Sequence, residues 1–173
     1  WCASRSPWRN RGASFGPAKC WLPERFAETA DRLATEHDAA VFISCGPRET
    51  QIAHDVARRM RRPAIVLDRP VMKLGASKAL IRRAALLITN DTGPRHFANA
   101  FGTPVVTIFG PTDPMWTATD VRNERSLMVK VDCGPCMKRI CPIDHRCMTG
   151  VTSEMAITAG RALLEARMGA GSQ

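Results

Sequence analysis

The stretch from Leu87 to Pro114, LITNDTGPRHFANAFGTPVVTIFGPTDP, is the richest in residues that could do chemistry. A buried strand ending near Thr89 would run through the turn Asn90-Asp91-Thr92-Gly93 into a helix starting near Pro94. Backbone N–H groups at a helix start have no partner within the helix, and the helix dipole adds partial positive charge there. Such an end suits a diphosphate. Gly93 would let a ligand approach the backbone closely. Thr92 offers a hydroxyl, and His96, in the first turn, can donate to phosphate or sugar oxygens. Asp91 has two readings: a cap for the helix, or an acceptor for sugar hydroxyls. A direct phosphate contact suits it poorly, because like charges repel.

Two further segments fit an anionic ligand. Gly12 to Trp21, GASFGPAKCW, sets two glycines, Ser14 and Lys19 ahead of a helix. It resembles a phosphate-cradling loop without following the pattern GxxxxGK[ST]. Lys19 would act as a point charge on a leaving diphosphate, and Trp21 reads as core. After another buried strand come Gly46-Pro47-Arg48-Glu49. There Glu49 could accept ribose hydroxyls, or simply sit well in a helix first turn. No Gly-x-Gly-x-x-Gly follows any strand, which argues against a nicotinamide-dependent reductase. No Asp-x-Asp pair is present to hold a metal on a diphosphate.

The cysteines form a separate group. Cys133-x2-Cys136-x4-Cys141-x3-His145-x-Cys147 has the residue types of a zinc site but not a standard spacing. The reading adopted is reduced thiols in a compact loop, with no metal. A disulfide framework is not expected in a chain without an export signal, and the polar, basic stretch Trp1 to Arg11 has no apolar core of a signal peptide.

These residues need a scaffold, and the apolar pattern supplies one. Phe26, Ala27, Ala30, Leu33 and Ala34 recur at helical spacing after Trp21-Leu22-Pro23, where Pro is tolerated at a helix start. Ala39 to Cys45 is a short apolar run that suits a doubly buried strand. Ile52, Ala53, Val56 and Met60 mark a second helix. The alternation continues with strands at 64–67, 86–89 and 105–109, a weaker one at 127–131, and helices at 77–85, 94–100 and 153–167. On the last helix Met155, Ala159, Ala162, Leu163 and Ala166 would face inward. Strict alternation implies a Rossmann-like α/β domain with a parallel sheet and helices on both faces. Ligands of such sheets bind beyond the carboxyl ends of the strands. The domain is expected over 12–168, with an atypical segment at 1–11 and a tail at 169–173.

The 173 residues are 45% hydrophobic and 24% charged, ordinary for a globular domain, and the formal net charge is +9. That excess favours anionic partners such as nucleic acid, acidic lipid surfaces or phosphorylated substrates. No apolar run approaches the roughly 20 residues that span a bilayer, so the chain is expected in the cytoplasm.

Together these motifs resemble glycosyltransferase family 9, the lipopolysaccharide heptosyltransferases. NDTGPRHFANAFGTPVVTIFGPTDP resembles the family signature. GASFGPAKCWLPERFAETADRL resembles the loop and helix that open its C-terminal domain. CGPCMKRICPIDHRCM resembles its C-terminal region, particularly in the second-heptose transferases. The resemblance runs from about Gly12 to Arg167. It implies the C-terminal, donor-binding half of a two-domain GT-B fold, with ADP-heptose as donor and the lipopolysaccharide inner core as acceptor. By motif position, Ser14 and Lys19 would contact the donor, Glu49 the ribose and Met72 the nucleotide. Asp91, Thr92, Gly93 and His96 would hold diphosphate and sugar, with Lys19 and His96 stabilising the leaving group. The family implies neither metal nor cofactor. Its catalytic carboxylate belongs to the N-terminal, acceptor-binding half, which a chain of about half the family's length is expected to lack.

Three functions follow as expectations. The first is an inverting glycosyltransferase domain, with peripheral contact at the inner membrane. The second is a binding-only module from a truncated or split gene, holding a nucleotide sugar without catalysis. The third, a basic nucleic-acid-binding protein, fits worse: there is no Tyr, and several of the six Phe stand at core-like positions. Neither Lys19 nor His96 is expected to support the core.

Overall fold

The computed structural model describes residues 16–70, 72–118 and 123–170. Within them, helix α1 (Pro23–Glu36) leads to β1 (Val41–Ser44), α2 (Thr50–Arg59), β2 (Ala64–Leu67) and α3 (Leu74–Arg83). Then come β3 (Leu87–Asn90), α4 (Gly93–Phe101), β4 (Val105–Ile108), β5 (Glu124–Leu127), the short α5 (Arg146–Thr149) and α6 (Ser153–Ala170). This is the alternating α/β architecture that the apolar pattern implies.

Every strand pairing is parallel. β1 pairs with β2, while β3, β4 and β5 form a three-stranded ladder with β4 in the middle. Among the described residues the two ladders are not hydrogen-bonded to each other. In a doubly wound sheet of order 3-2-1-4-5, the first strand lies between two such ladders. The segment on which that strand would fall, before Gly16, lies outside the described residues.

β4 shows how one strand serves both faces. Alternate side chains of a strand point to opposite sides. Val106 and Ile108 join a core with Phe26, Leu33, Ile43, Val56, Ile157 and Leu163, contributed by α1, β1, α2 and α6. Val105 instead joins Ile81 of α3 and Ala98 of α4. All four β4 residues are buried, as a strand covered on both faces requires.

Local signals explain most boundaries. Pro stands in the first turn of α1, where its missing N–H loses nothing. α4 ends on Gly102 in the left-handed conformation at φ 67°, which glycine adopts without a Cβ penalty. Four expectations fail. β1 is not buried on both faces, since Phe42 is 43% exposed. α3 starts at Leu74, a turn earlier than the expected 77. β5 spans 124–127 and not the apolar run 127–131. On α6, Ala156, Ile157, Ala159 and Leu163 are buried while Met155 is exposed, so the inward face is rotated. Gly160 explains that rotation, since a Cβ there would press on Leu33 and Leu86. The glycine lets α6 close on α1, and this contact sets the buried face.

Candidate donor site at the carboxyl edge of the sheet

The loops after β1, β2, β3 and β4, with the turn before α1, line the carboxyl edge of the strands. β3 ends in three buried residues, Ile88, Thr89 and Asn90, so the chain enters the NDTG turn from a fixed position. Asn90 Oδ1 then accepts from Trp21 N at 3.3 Å, tying the loop before α1 to the end of β3. Trp21, fully buried, anchors that loop from below through Nε1 to Val151 O at 2.9 Å. Its core reading holds.

Lys19 closes a 3₁₀ turn over Pro17–Lys19. Its Nζ donates to Asp91 Oδ2 at 2.8 Å and to the Asp91 carbonyl at 3.0 Å. The two side chains are only 12% and 7% exposed. The expectation that Lys19 carries no structural weight is therefore corrected, because it is half of a largely buried ion pair. Asp91 Oδ2 also accepts from Thr112 Oγ1 at 2.9 Å, and Asp91 Oδ1 lies 3.6 Å from Arg95 Nη1.

This geometry rules out the capping reading of Asp91. The N-cap of α4 is Thr92, and no side chain caps the helix. Asp91 faces Lys19 and Thr112 and does not cap. The Thr92 hydroxyl turns back toward the Asn90 carbonyl and Thr89 Oγ1, each at 3.3 Å. Fewer backbone donors face outward than the sequence implies. Pro94 has none, and Arg95 N is taken by Thr92 O at 3.1 Å. The donors left at the tip are the Thr92 and Gly93 N–H groups. A Cβ at Gly93 would meet nothing within 4 Å, so open space stands over this end. His96 is exposed on the same first turn.

Arg95 escaped the sequence reading. It is 2% exposed. Its Nε bonds Glu124 Oε1 at 2.6 Å, its Nη1 bonds Thr117 Oγ1 at 2.8 Å, and its guanidinium lies over the Phe109 ring at 5.0 Å. Burial pushes the Glu124 carboxyl up, but hydrogen bonds from Arg95, Thr107 and Asn99 outweigh it and hold the group below the ordinary carboxylate range. The available signal was the i, i+4 spacing of Asp91 and Arg95. Lys19, Arg95, Asp91 and Glu124 supply two cations and two carboxylates, so the cluster's formal charge cancels. A strongly positive field from Lys19 is thus not what the site offers.

The remaining residues fall around this centre. Glu49 occupies the N-cap position of α2, and its Oε2 accepts from Gly46 N at 2.8 Å, folding the turn that follows β1. Beside it, Asp68 at the end of β2 bonds His54 Nε2 at 2.9 Å. Burial, the largest effect, raises the Cys45 thiol. Met72 is half-buried between β2 and α3. Ser14 lies outside the described residues.

The cysteine-bearing loop packs behind the site. Arg139 O accepts from Ala18 N at 3.1 Å, His145 Nε2 bonds Ala18 O at 2.6 Å, and Met137 N donates to Pro111 O at 2.8 Å. The loop thereby braces both the Lys19 turn and the segment leading to Thr112. Cys133, Cys136, Cys141 and Cys147 line one small cavity of about 50 Å³ there. Burial first, and then the neighbouring thiols, push the Cys147 thiol up. Among the described residues, no group of three His, Cys, Asp or Glu is placed to hold a metal ion. Cys20 is disulfide-bonded, where no disulfide framework is expected from the sequence, and the four cysteines of the loop are free.

A parallel α/β unit whose carboxyl edge gathers a lysine turn, an open helix end and an exposed histidine is built like one half of a GT-B glycosyltransferase. The family model of glycosyltransferase family 9 (heptosyltransferase) matches residues 10–146, and the chain belongs to that family. It is 34% identical over 163 residues to lipooligosaccharide heptosyltransferase 2 of Campylobacter jejuni, covering 90% of this chain and 50% of that protein. Among solved structures, E. coli ADP-heptose lps heptosyltransferase II superposes with a TM-score of 0.77 at 23% identity, over 91% of this chain and 45% of that one. A glycosyl transferase of family 9 from Veillonella parvula gives a TM-score of 0.72 at 28% identity, again over 91% and 45%. The chain spans about half the length of the curated relatives it matches. Among its described residues no helix is long and apolar enough to cross a membrane.

Proposed function

We propose that this chain is the donor-binding half of a heptosyltransferase, holding ADP-heptose for inverting transfer to a lipopolysaccharide acceptor. The observation that carries the reading is the NDTG turn. Its aspartate is gripped by Lys19 at the carboxyl edge of β3, beside an open Gly93 helix end. In this reading the diphosphate sits against Gly93 N–H and the dipole of α4, with His96 donating to it. Lys19 acts from within its ion pair, orienting Asp91 toward the donor. Asp91 accepts sugar hydroxyls, Glu49 the ribose hydroxyls, and Met72 touches the nucleotide. Ser14, in the glycine loop, adds a hydroxyl to the diphosphate. The nucleotide-sugar domain is taken as 12–168.

Asp91 is held by Lys19 and Thr112, and Glu49 by Gly46 N. As the family resemblance implies, the base that deprotonates the acceptor is assigned to the family's acceptor-binding half. We place the protein in the cytoplasm, where a net charge of +9 suits peripheral contact with an anionic inner-membrane surface.

Calorimetric titration with ADP, ADP-heptose and a short DNA duplex tests the reading, with and without a chelator. ADP and ADP-heptose should bind at one site without divalent metal, and DNA should give only weak, salt-sensitive heat. Loss of ADP binding on chelation, or a preference for DNA, would overturn it.

A further inference from the structure

The segment after β4 carries a feature that the donor reading leaves unused. Its 3₁₀ turn, Pro114–Thr117, holds Met115 and Trp116 at 77% and 76% exposure. An indole standing free in water is costly, since tryptophan is a large apolar surface with one polar edge. The turn is nonetheless well fixed. Asp113 caps it, with Oδ1 accepting from Met115 N at 2.9 Å and its carbonyl accepting from Trp116 N at 3.2 Å.

Both ends of the turn lead to the same residue. Thr112, just before it, donates to Asp91 Oδ2 at 2.9 Å. Thr117, its last residue, bonds Arg95 Nη1 at 2.8 Å, and that nitrogen lies 3.6 Å from Asp91 Oδ1. Four residues between two tethers on one carboxylate cannot stray far from it. Trp116 therefore stands on the rim of the Asp91 site, on the side of α4 that carries Arg95.

We propose that Trp116 is a stacking platform for a pyranose ring, with Met115 widening its apolar face. The inference rests on the donor-site reading, because the sugar must be the one presented near Asp91. A pyranose has polar hydroxyls around its edge and a face of C–H groups. The hydroxyls match Asp91 and His96, and the C–H face matches an indole. A rigid, two-torsion aromatic loses little entropy on making that contact. Trp116 would thus set affinity for the sugar while leaving the nucleotide unaffected. The ring belongs either to the donor or to the acceptor, and both present the same C–H face.

The test compares the wild-type chain with Trp116→Ala and Trp116→Phe. Each is titrated with ADP, with ADP-heptose, and with core oligosaccharide freed of lipid. ADP affinity and melting temperature should stay unchanged in both variants, since Trp116 is exposed. Trp116→Ala should lose about three- to tenfold in affinity for the sugar-bearing ligand, and Trp116→Phe should recover most of it. Loss in the ADP-heptose arm assigns the donor sugar; loss confined to the oligosaccharide arm assigns the acceptor. Fluorescence gives a second readout: saccharide should shield from acrylamide the part of the wild-type emission that Trp116→Phe removes, one of four tryptophans. If ADP and ADP-heptose bind but neither sugar ligand distinguishes Trp116→Ala from wild type, the platform is wrong and the donor site stands. Failure of ADP itself to bind removes both. If that Trp116 emission is already shielded in the free chain, with concentration-dependent sedimentation, a protein interface lies there and the proposal is overturned.

Discussion

Replacing Lys19 with methionine keeps the length of the side chain and removes its charge. In the folded chain Lys19 Nζ sits 2.8 Å from Asp91 Oδ2, with both side chains largely out of water. Removing one partner of a buried pair typically costs about 3–5 kcal/mol, because the other charge stays behind. Here Asp91 keeps the Thr112 hydroxyl at 2.9 Å and Arg95 at 3.6 Å. That partial compensation places the expected loss at the low end, about 2–3 kcal/mol. For a domain of this size, each kcal/mol moves the melting temperature by roughly 2–4 °C, so Lys19→Met should melt about 4–12 °C lower. Thermal denaturation followed by circular dichroism reads this directly. A double-mutant cycle with Asp91→Asn should return a coupling of about 1–3 kcal/mol. If Lys19→Met melts within about 1 °C of wild type and the coupling is zero, the pair does not exist in solution. Lys19 would then be an ordinary surface lysine.

Other perturbations separate binding from folding. His96→Ala should leave the melting temperature unchanged, because the side chain is exposed, while ADP-heptose affinity falls about tenfold by calorimetry. Arg95→Met removes the cation beside Glu124, leaving it uncharged donors such as Thr107 and Asn99, and should cost about 3–5 kcal/mol by chemical denaturation; a cost below about 1 kcal/mol would refute the buried network. Arg161 and Arg32 hold the exposed Glu36 carboxyl down, from its ordinary 4.5 to about 2. A depressed carboxyl contributes stability above its unfolded value, lost as the pH falls through the folded one. Glu36→Gln should therefore flatten the acid limb of the stability profile between pH 4.5 and about 2, and an unchanged limb would show that the clamp is not formed.

Local chemistry was legible in the sequence, and long-range pairing was not. The buried face of α1 and the alternation of strands and helices follow from periodicity, and the NDTG turn was readable from residue types. Lys19 and Asp91 are 72 residues apart, and no local pattern announces such a pair. β5 was misplaced because its sequence, ERSL, is polar. Glu124 enters the sheet only because Arg95, Thr107 and Asn99 satisfy it, whereas the apolar run beyond it drew the expectation. The inward face of α6 turned on Gly160, whose lack of a side chain matters only once α1 lies against it. Where sequence reasoning erred at the site itself, it treated Lys19 as independent of the scaffold. The same contacts that would present the donor also hold the loop in place.

The most direct test of donor binding at this edge is amide chemical-shift mapping of the labelled chain during titration with ADP-heptose. Shifts should cluster at the ends of β1, β3 and β4 and in the turn before α1. Lys19, Glu49, Thr92, Gly93 and His96 should move together, with Met72 following the nucleotide. Shifts concentrated at the amino ends of the strands, or along the outer faces of α2 and α3, would contradict the account. So would a folded spectrum that ADP-heptose leaves untouched at millimolar concentration.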